Sequence, residues 1–162
     1  MRYTPILIGL LALAAQAAQA TPQLTISVIH GKSEPSTFKY ELNEQRREID
    51  VRSQHSFDAA FHDPITKSDI CRKGEYSTGL MLTARYVPSA KQDPADPRYP
   101  IEIIGQISEL KDTKPGKELS CGRNTEIEMV NRALSDTLFV IPDRPKGVVI
   151  DNDWTIIFTI KP

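Results

Sequence analysis

Val148-Val149-Ile150-Asp151-Asn152-Asp153-Trp154-Thr155-Ile156-Ile157-Phe158-Thr159-Ile160, close to the C-terminus, is the stretch that decides the fold class. Val148 to Ile150 is β-branched throughout. Trp154 to Ile160 alternates, so that Trp154, Ile156, Phe158 and Ile160 share one side of an extended chain. Asp151-Asn152-Asp153 lies between the two runs. Asn and Asp tolerate the positive φ angles of a tight reversal, and the whole stretch therefore predicts a β-hairpin. Just before it, Thr137-Leu138-Phe139-Val140-Ile141 is a further apolar run that stops at the turn Pro142-Asp143-Arg144-Pro145-Lys146-Gly147.

The same period-two pattern recurs toward the N-terminus. Leu24, Ile26 and Val28 alternate with Thr25 and Ser27, and Phe38, Tyr40 and Leu42 follow after the turn Gly31-Lys32-Ser33-Glu34-Pro35. Glu48-Ile49-Asp50-Val51-Arg52 repeats the pattern once more. Strict alternation buries one face and wets the other, as in antiparallel sheets, and three such runs with short connections suggest a meander. Thr78 to Val87 places Leu80, Leu82, Ala84 and Tyr86 on one side and ends at Pro88, which has no N–H for a ladder. Pro88 to Pro100 holds four prolines in thirteen residues and reads as an exposed, stiff loop within one domain. Ile101, Ile103, Gly105 and Ile107 resume the alternation, and Lys111 to Lys117 reads as another polar loop. Two segments have helical features. Ser56-Phe57-Asp58-Ala59-Ala60-Phe61 sets Phe57 and Phe61 four apart behind a capping serine. Thr125 and Glu128 have capping-box spacing, with Ile127, Val130 and Leu134 on one helical face, although Ile127 and Met129 also fit a strand. The expectation is a mainly β domain: an antiparallel β-sandwich or partly open barrel of about eight strands, with at most two short helices.

The first twenty residues have the layout of a cleavable secretory signal: Arg2, the apolar run Ile6 to Ala15, and small residues at Ala18 and Ala20. A bilayer-spanning helix needs about 20 apolar residues, and Gln16 and Gln19 interrupt this one. Residues 21–162 then form a single domain. Removing residues 1–20 takes away Arg2 from 20 Lys+Arg against 21 Asp+Glu, so the net charge goes from −1 to −2. A near-neutral surface gives no electrostatic reason to expect nucleic acid or anionic lipid as partner, and no second apolar stretch is long enough for stable membrane insertion. Export implies the periplasm or the extracellular space, an oxidising setting in which Cys71 and Cys121 form one disulfide. Closing a loop of about 50 residues stabilises a fold by roughly 4 kcal/mol in the chain-entropy model.

The search for chemistry yields little. Gly74-Glu75-Tyr76-Ser77-Thr78-Gly79 lacks the spacing of a nucleophile elbow, and no phosphate-binding glycine loop is present. Asp151-Asn152-Asp153 runs into Trp154 where a calcium loop would continue with oxygen ligands and a glycine. The one constellation is His55, Asp58, His62 and Asp63, whose imidazoles and carboxylates are ligand types for zinc or copper. Its His-to-His spacing of seven suits neither a zinc motif nor one face of a strand, and a polar loop around Phe57 and Phe61 is the plainer reading. No cofactor and no catalytic residue is assigned.

Gly79 to Pro88 followed by Tyr99 to Ser108 resembles the paired strands of the secretin β-domain over about thirty residues. That resemblance implies a small accessory of a secretion or pilus machine, because the chain lacks the length of a secretin pore. A fibre subunit that polymerises by strand addition has a similar outline. Chaperone–usher pilins, however, carry their first cysteine near the mature N-terminus, and Cys71 comes about fifty residues in. The leading expectation is a non-enzymatic binding or assembly module that presents loops or a sheet edge to another cell-envelope protein.

Overall fold

A computed structural model describes residues 21–88, 96–151 and 153–162. Residues 1–20, expected to be a signal segment, most of the proline-rich stretch and Asn152 lie outside the described residues. Eight strands follow in chain order: β1 (Gln23–His30), β2 (Ser36–Glu41), β3 (Arg47–Asp63), β4 (Ser68–Tyr86), β5 (Tyr99–Leu119), β6 (Gly122–Val140), β7 (Lys146–Ile150) and β8 (Trp154–Lys161). They form two antiparallel four-stranded sheets, β2-β1-β8-β7 and β3-β4-β5-β6, packed face to face as a sandwich. Among the described residues there is no helix.

Alternation explains the core. Leu24, Ile26 and Val28 of β1 and Trp154, Ile156, Phe158 and Ile160 of β8 are buried on the inner face of the first sheet. Ile49, Leu80, Leu82, Ala84, Ile101, Ile103, Ile107, Leu138 and Val140 meet them from the second. The predicted C-terminal hairpin is present as β7 and β8, with Val148 opposite Ile156 and Ile150 opposite Trp154. Asp151 at its turn takes φ 52°, the left-handed region that Asp and Asn enter most readily after glycine. The chain ends meet in the middle of the first sheet, where Leu24 faces Ile160 and Ile26 faces Phe158.

The expected N-terminal meander stops after one hairpin. β1 and β2 pair, but the chain then crosses to the second sheet and β3 pairs with β4. Leu42, buried in that crossing, shows why: the connection carries an apolar anchor over the edge of the core. The expected helical segments are strands. Ser56 to Phe61 lies in β3 and Thr125 to Leu134 in β6, because each is paired with a neighbouring strand, the second with one register shift opposite Glu128 and Met129. Lys111 to Lys117, expected as a loop, belongs to β5, with register shifts between Leu110 and Asp112 and between Pro115 and Glu118. Bulges of this kind let a strand absorb proline and glycine without breaking its pairing.

The strands of the second sheet, 17 to 21 residues long, outrun the sandwich. The β4–β5 ladder ends at Gly79 opposite Ser108, whereas the β3–β4 and β5–β6 ladders continue to their turns. Two hairpin arms of about 35 Å therefore project from the core. Gly79 sits at the branch point with φ 122°, and a Cβ there would lie 2.6 Å from the Val51 carbonyl oxygen and 2.9 Å from Arg52 Cα. Only glycine lets β3 and β4 approach at the place where β4 parts from β5.

Two substitutions separate core from branch point. Phe158→Ala, at a fully buried site, is expected to cost about 3–5 kcal/mol in chemical denaturation. Gly79→Ala should cost about 1–3 kcal/mol through backbone strain. It should also speed amide hydrogen exchange at the last β4–β5 rungs while leaving β1 and β8 protected.

Candidate functional site

The arms are the part of the molecule that the core does not account for. Apart from Ala60, no arm residue among those described is a buried hydrophobe. Residues directly opposite each other hold each ribbon together. In the β3–β4 arm, Lys73 Nζ lies 2.6 Å from Asp58 Oδ1, His62 Nδ1 lies 2.8 Å from Asp69 Oδ1, and His55 stacks on Tyr76 at 5.0 Å. Phe57 lies across from Gly74 and fills the space its side chain would occupy, with the ring tip 2.5 Å from where a Cβ would be. In the β5–β6 arm, Arg123 pairs with Glu118 at 2.7 Å and Lys111 pairs with Glu128. Exposed ion pairs contribute little each. Two-stranded ribbons built from them are marginal in water unless something holds them.

Three contacts between the arms do so. Beyond the branch point β3 comes against β6, the strand from which it is farthest in the sheet order, and Asn124 Oδ1 accepts a hydrogen bond from Ala60 N at 3.0 Å. The Asp69 carboxylate accepts from Ser120 N at 2.9 Å and from Ser120 Oγ at 2.7 Å. The Cys71–Cys121 disulfide, with Cα atoms 6.0 Å apart, joins β4 to the turn between β5 and β6. The expected pairing is present, and it staples arm to arm, outside the core. A cleft of about 640 Å³ opens between the arms, lined by both cysteines, Asp58, Lys73, Arg123 and Asn124 among others.

The apex of the β3–β4 arm is tightly organised. Asp63 Oδ1 accepts from Ile65 N at 2.9 Å and Asp63 Oδ2 from Thr66 Oγ1 at 2.8 Å. Lys67 closes the turn at φ 51°. This cage presents Ile65, 89% exposed, to solvent, with the half-exposed Phe61 below it and Arg72 over the Phe61 ring at 5.4 Å.

The histidine and aspartate residues weighed as weak metal-ligand candidates are spread along one strand. His55, Asp58 and His62 all lie on β3, where a separation of seven puts the two histidines on opposite faces about 23 Å apart. Each has a different neighbour: Thr78 for His55 at 2.8 Å, Lys73 for Asp58, Asp69 for His62. Among the described residues, no three His, Cys, Asp or Glu side chains are placed to hold a metal ion together. A second hollow of about 320 Å³ lies at the mouth of the sandwich between His55, Thr78, Glu109 and Trp154. The Trp154 ring floors it and stacks on His30 at 4.2 Å. The arm contacts left no sequence signal beyond the cysteines, because Asp69, Ser120 and Asn124 are distant polar residues in unpatterned stretches. No protein-family model, curated protein or solved structure matches this chain.

Asp69 makes the inter-arm contact sensitive to acid. The hydrogen bond from His62, followed by those from Ser120, holds its carboxyl at about 2, against an ordinary 3.8. A depressed carboxyl adds stability above its unfolded value and loses it as the pH falls through its folded value. Arm docking is therefore expected to be intact at neutral pH and to weaken as pH falls from about 4 through about 2. Proton NMR of the Ser120 amide should follow the loss, and Asp69→Asn should flatten it.

Proposed function

We propose that this chain is an exported, non-enzymatic binding module whose stapled arms are its contact surface for another cell-envelope protein. One observation carries the reading: the arms extend well beyond a sandwich that closes without them, and a disulfide holds them in one arrangement. Chain that neither forms the core nor covers it, yet is kept rigid, is best explained by what it meets outside. The caged Ile65 apex supports this, since a preorganised apolar side chain amid polar neighbours suits an anchor entering a partner's pocket. The placement of β8 between β1 and β7 favours a self-contained module over a subunit awaiting a donor strand. The N-terminal layout and the cysteine pair both fit export.

Photo-crosslinking in intact cells of the source organism tests the reading. A benzoylphenylalanine placed at Ile65 or Lys73 is expected to give one discrete adduct, abolished by Ile65→Asp in the Lys73 probe. The same probe at Lys39, on β2, should give none. Equal labelling from Lys39, or no adduct from either arm position, would overturn the assignment of the arms.

A further inference from the structure

Cys71 and Cys121 are both exposed to solvent and both line the cleft between the arms. Gly122, at φ 149°, follows Cys121 and carries no side chain where a Cβ would come within 3.6 Å of Cys71 Sγ. That sulfur is therefore uncovered on the Gly122 side. Lys73 and Arg123 border the same cleft, each ion-paired to a carboxylate, Asp58 and Glu118. A structural disulfide resists reduction largely by being inaccessible, whereas an exposed one is open to attack in the native state.

What the disulfide holds is equally unusual. The buried cluster of Ile26, Leu82, Ile103 and Phe158 lies in the sandwich, below the branch point at Gly79. With the sulfurs parted, the Asp69–Ser120 and Ala60–Asn124 hydrogen bonds and the packing of β3 against β6 would remain between the arms.

We propose that Cys71–Cys121 is an exchange-competent disulfide, reduced in the folded protein by a dithiol, and that its reduction uncouples the two arms while the sandwich stays intact. One thiolate of the dithiol attacks Cys71 Sγ. The Sγ–Sγ bond breaks and its electron pair leaves on Cys121 Sγ, which then takes a proton. The second thiolate of the same dithiol attacks its own mixed-disulfide sulfur and expels Cys71 as a thiolate, which is protonated in turn. The dithiol ends as a disulfide and the protein as two thiols.

Dithiothreitol on the purified, oxidised chain tests both parts. Thiol release followed by mass spectrometry should run at nearly the same rate with and without denaturant, within about threefold, because no opening must come first. A reaction gated by global unfolding would be slower by about a thousandfold or more in the absence of denaturant, and would overturn the first part. After reduction, hydrogen exchange at the Ala60 and Ser120 amides should accelerate at least about tenfold, with Ile26 and Phe158 unchanged and Trp154 fluorescence constant. Parallel acceleration in the core, or none in the arms, would overturn the second part. The Cys71→Ser, Cys121→Ser double variant should reproduce the reduced state. If it fails to fold, the kinetics on the native chain still decide.

Discussion

The pairing of β1 with β8 is the interaction on which the rest of the structure depends. It joins two hairpins from opposite ends of the chain, with Leu24 opposite Ile160, Ile26 opposite Phe158 and Val28 opposite Ile156. Without it β1–β2 and β7–β8 would be separate ribbons, each too small to persist in water. The second sheet would then have an apolar inner face and nothing to cover it. Because these partners are more than a hundred residues apart, closing the sandwich carries a large loop-closure cost. That topology places the protein among slow-folding all-β domains. The disulfide between Cys71 and Cys121 lies inside that loop and, once formed, bypasses a sequence separation of 50 residues. It links two arms that lie wholly within the β3–β6 meander.

The molecule thus divides into a core stabilised by area and arms stabilised by pairing. In the core, side chains such as Ile103 and Phe158 lose all contact with water, each at about 1.5–3 kcal/mol. In the arms, directly opposed residues stabilise the ribbon by roughly 0.2–1 kcal/mol per pair. Phe57 packs over Gly74 in the first arm, and that contact is local. A ribbon held by such small terms remains ordered only if its ends are tied. The branch point at Gly79 ties one end and the disulfide the other. Asp69 then acts in both directions at once, holding His62 within its own arm and Ser120 across the gap.

Legibility in the sequence follows the same division. Where one face is buried, alternation survives in the residue order, and every run with Leu, Ile, Val or Trp at alternate positions became a strand with those residues inward. Where both faces are wet, no such constraint acts on the residue order. Ser56 to Phe61 and Thr125 to Leu134 accordingly carried spacings that a helix could also satisfy, and partner strands rather than local preference settled them. The spacing of seven between His55 and His62 already argues against a shared ion. On a helix they would lie about two turns apart, and in the extended β3 strand they fall on opposite faces. The cysteines were legible because chemistry leaves two thiols one partner each. Their separation of 50 residues says nothing of whether the bond spans a core or bridges two projections.

That distinction changes what the disulfide means for stability. The chain-entropy argument assigns a loop of this length roughly 4 kcal/mol against the fully unfolded state. It presumes that the linked residues are ordered only when the whole domain is ordered. The proposed uncoupling supposes a partly opened state in which the arms have parted and the sandwich has not, consistent with a buried cluster that, among the described residues, does not extend past the branch point. Measured against that state, the bond acts on a smaller equilibrium: the arrangement of two ribbons about Gly79. Its effect on global unfolding is then less than loop length implies, and its effect on the shape of the arm surface is larger. A fold can in this way place its disulfide where it sets the arrangement of two projecting ribbons and leave the core to the apolar faces of its two sheets.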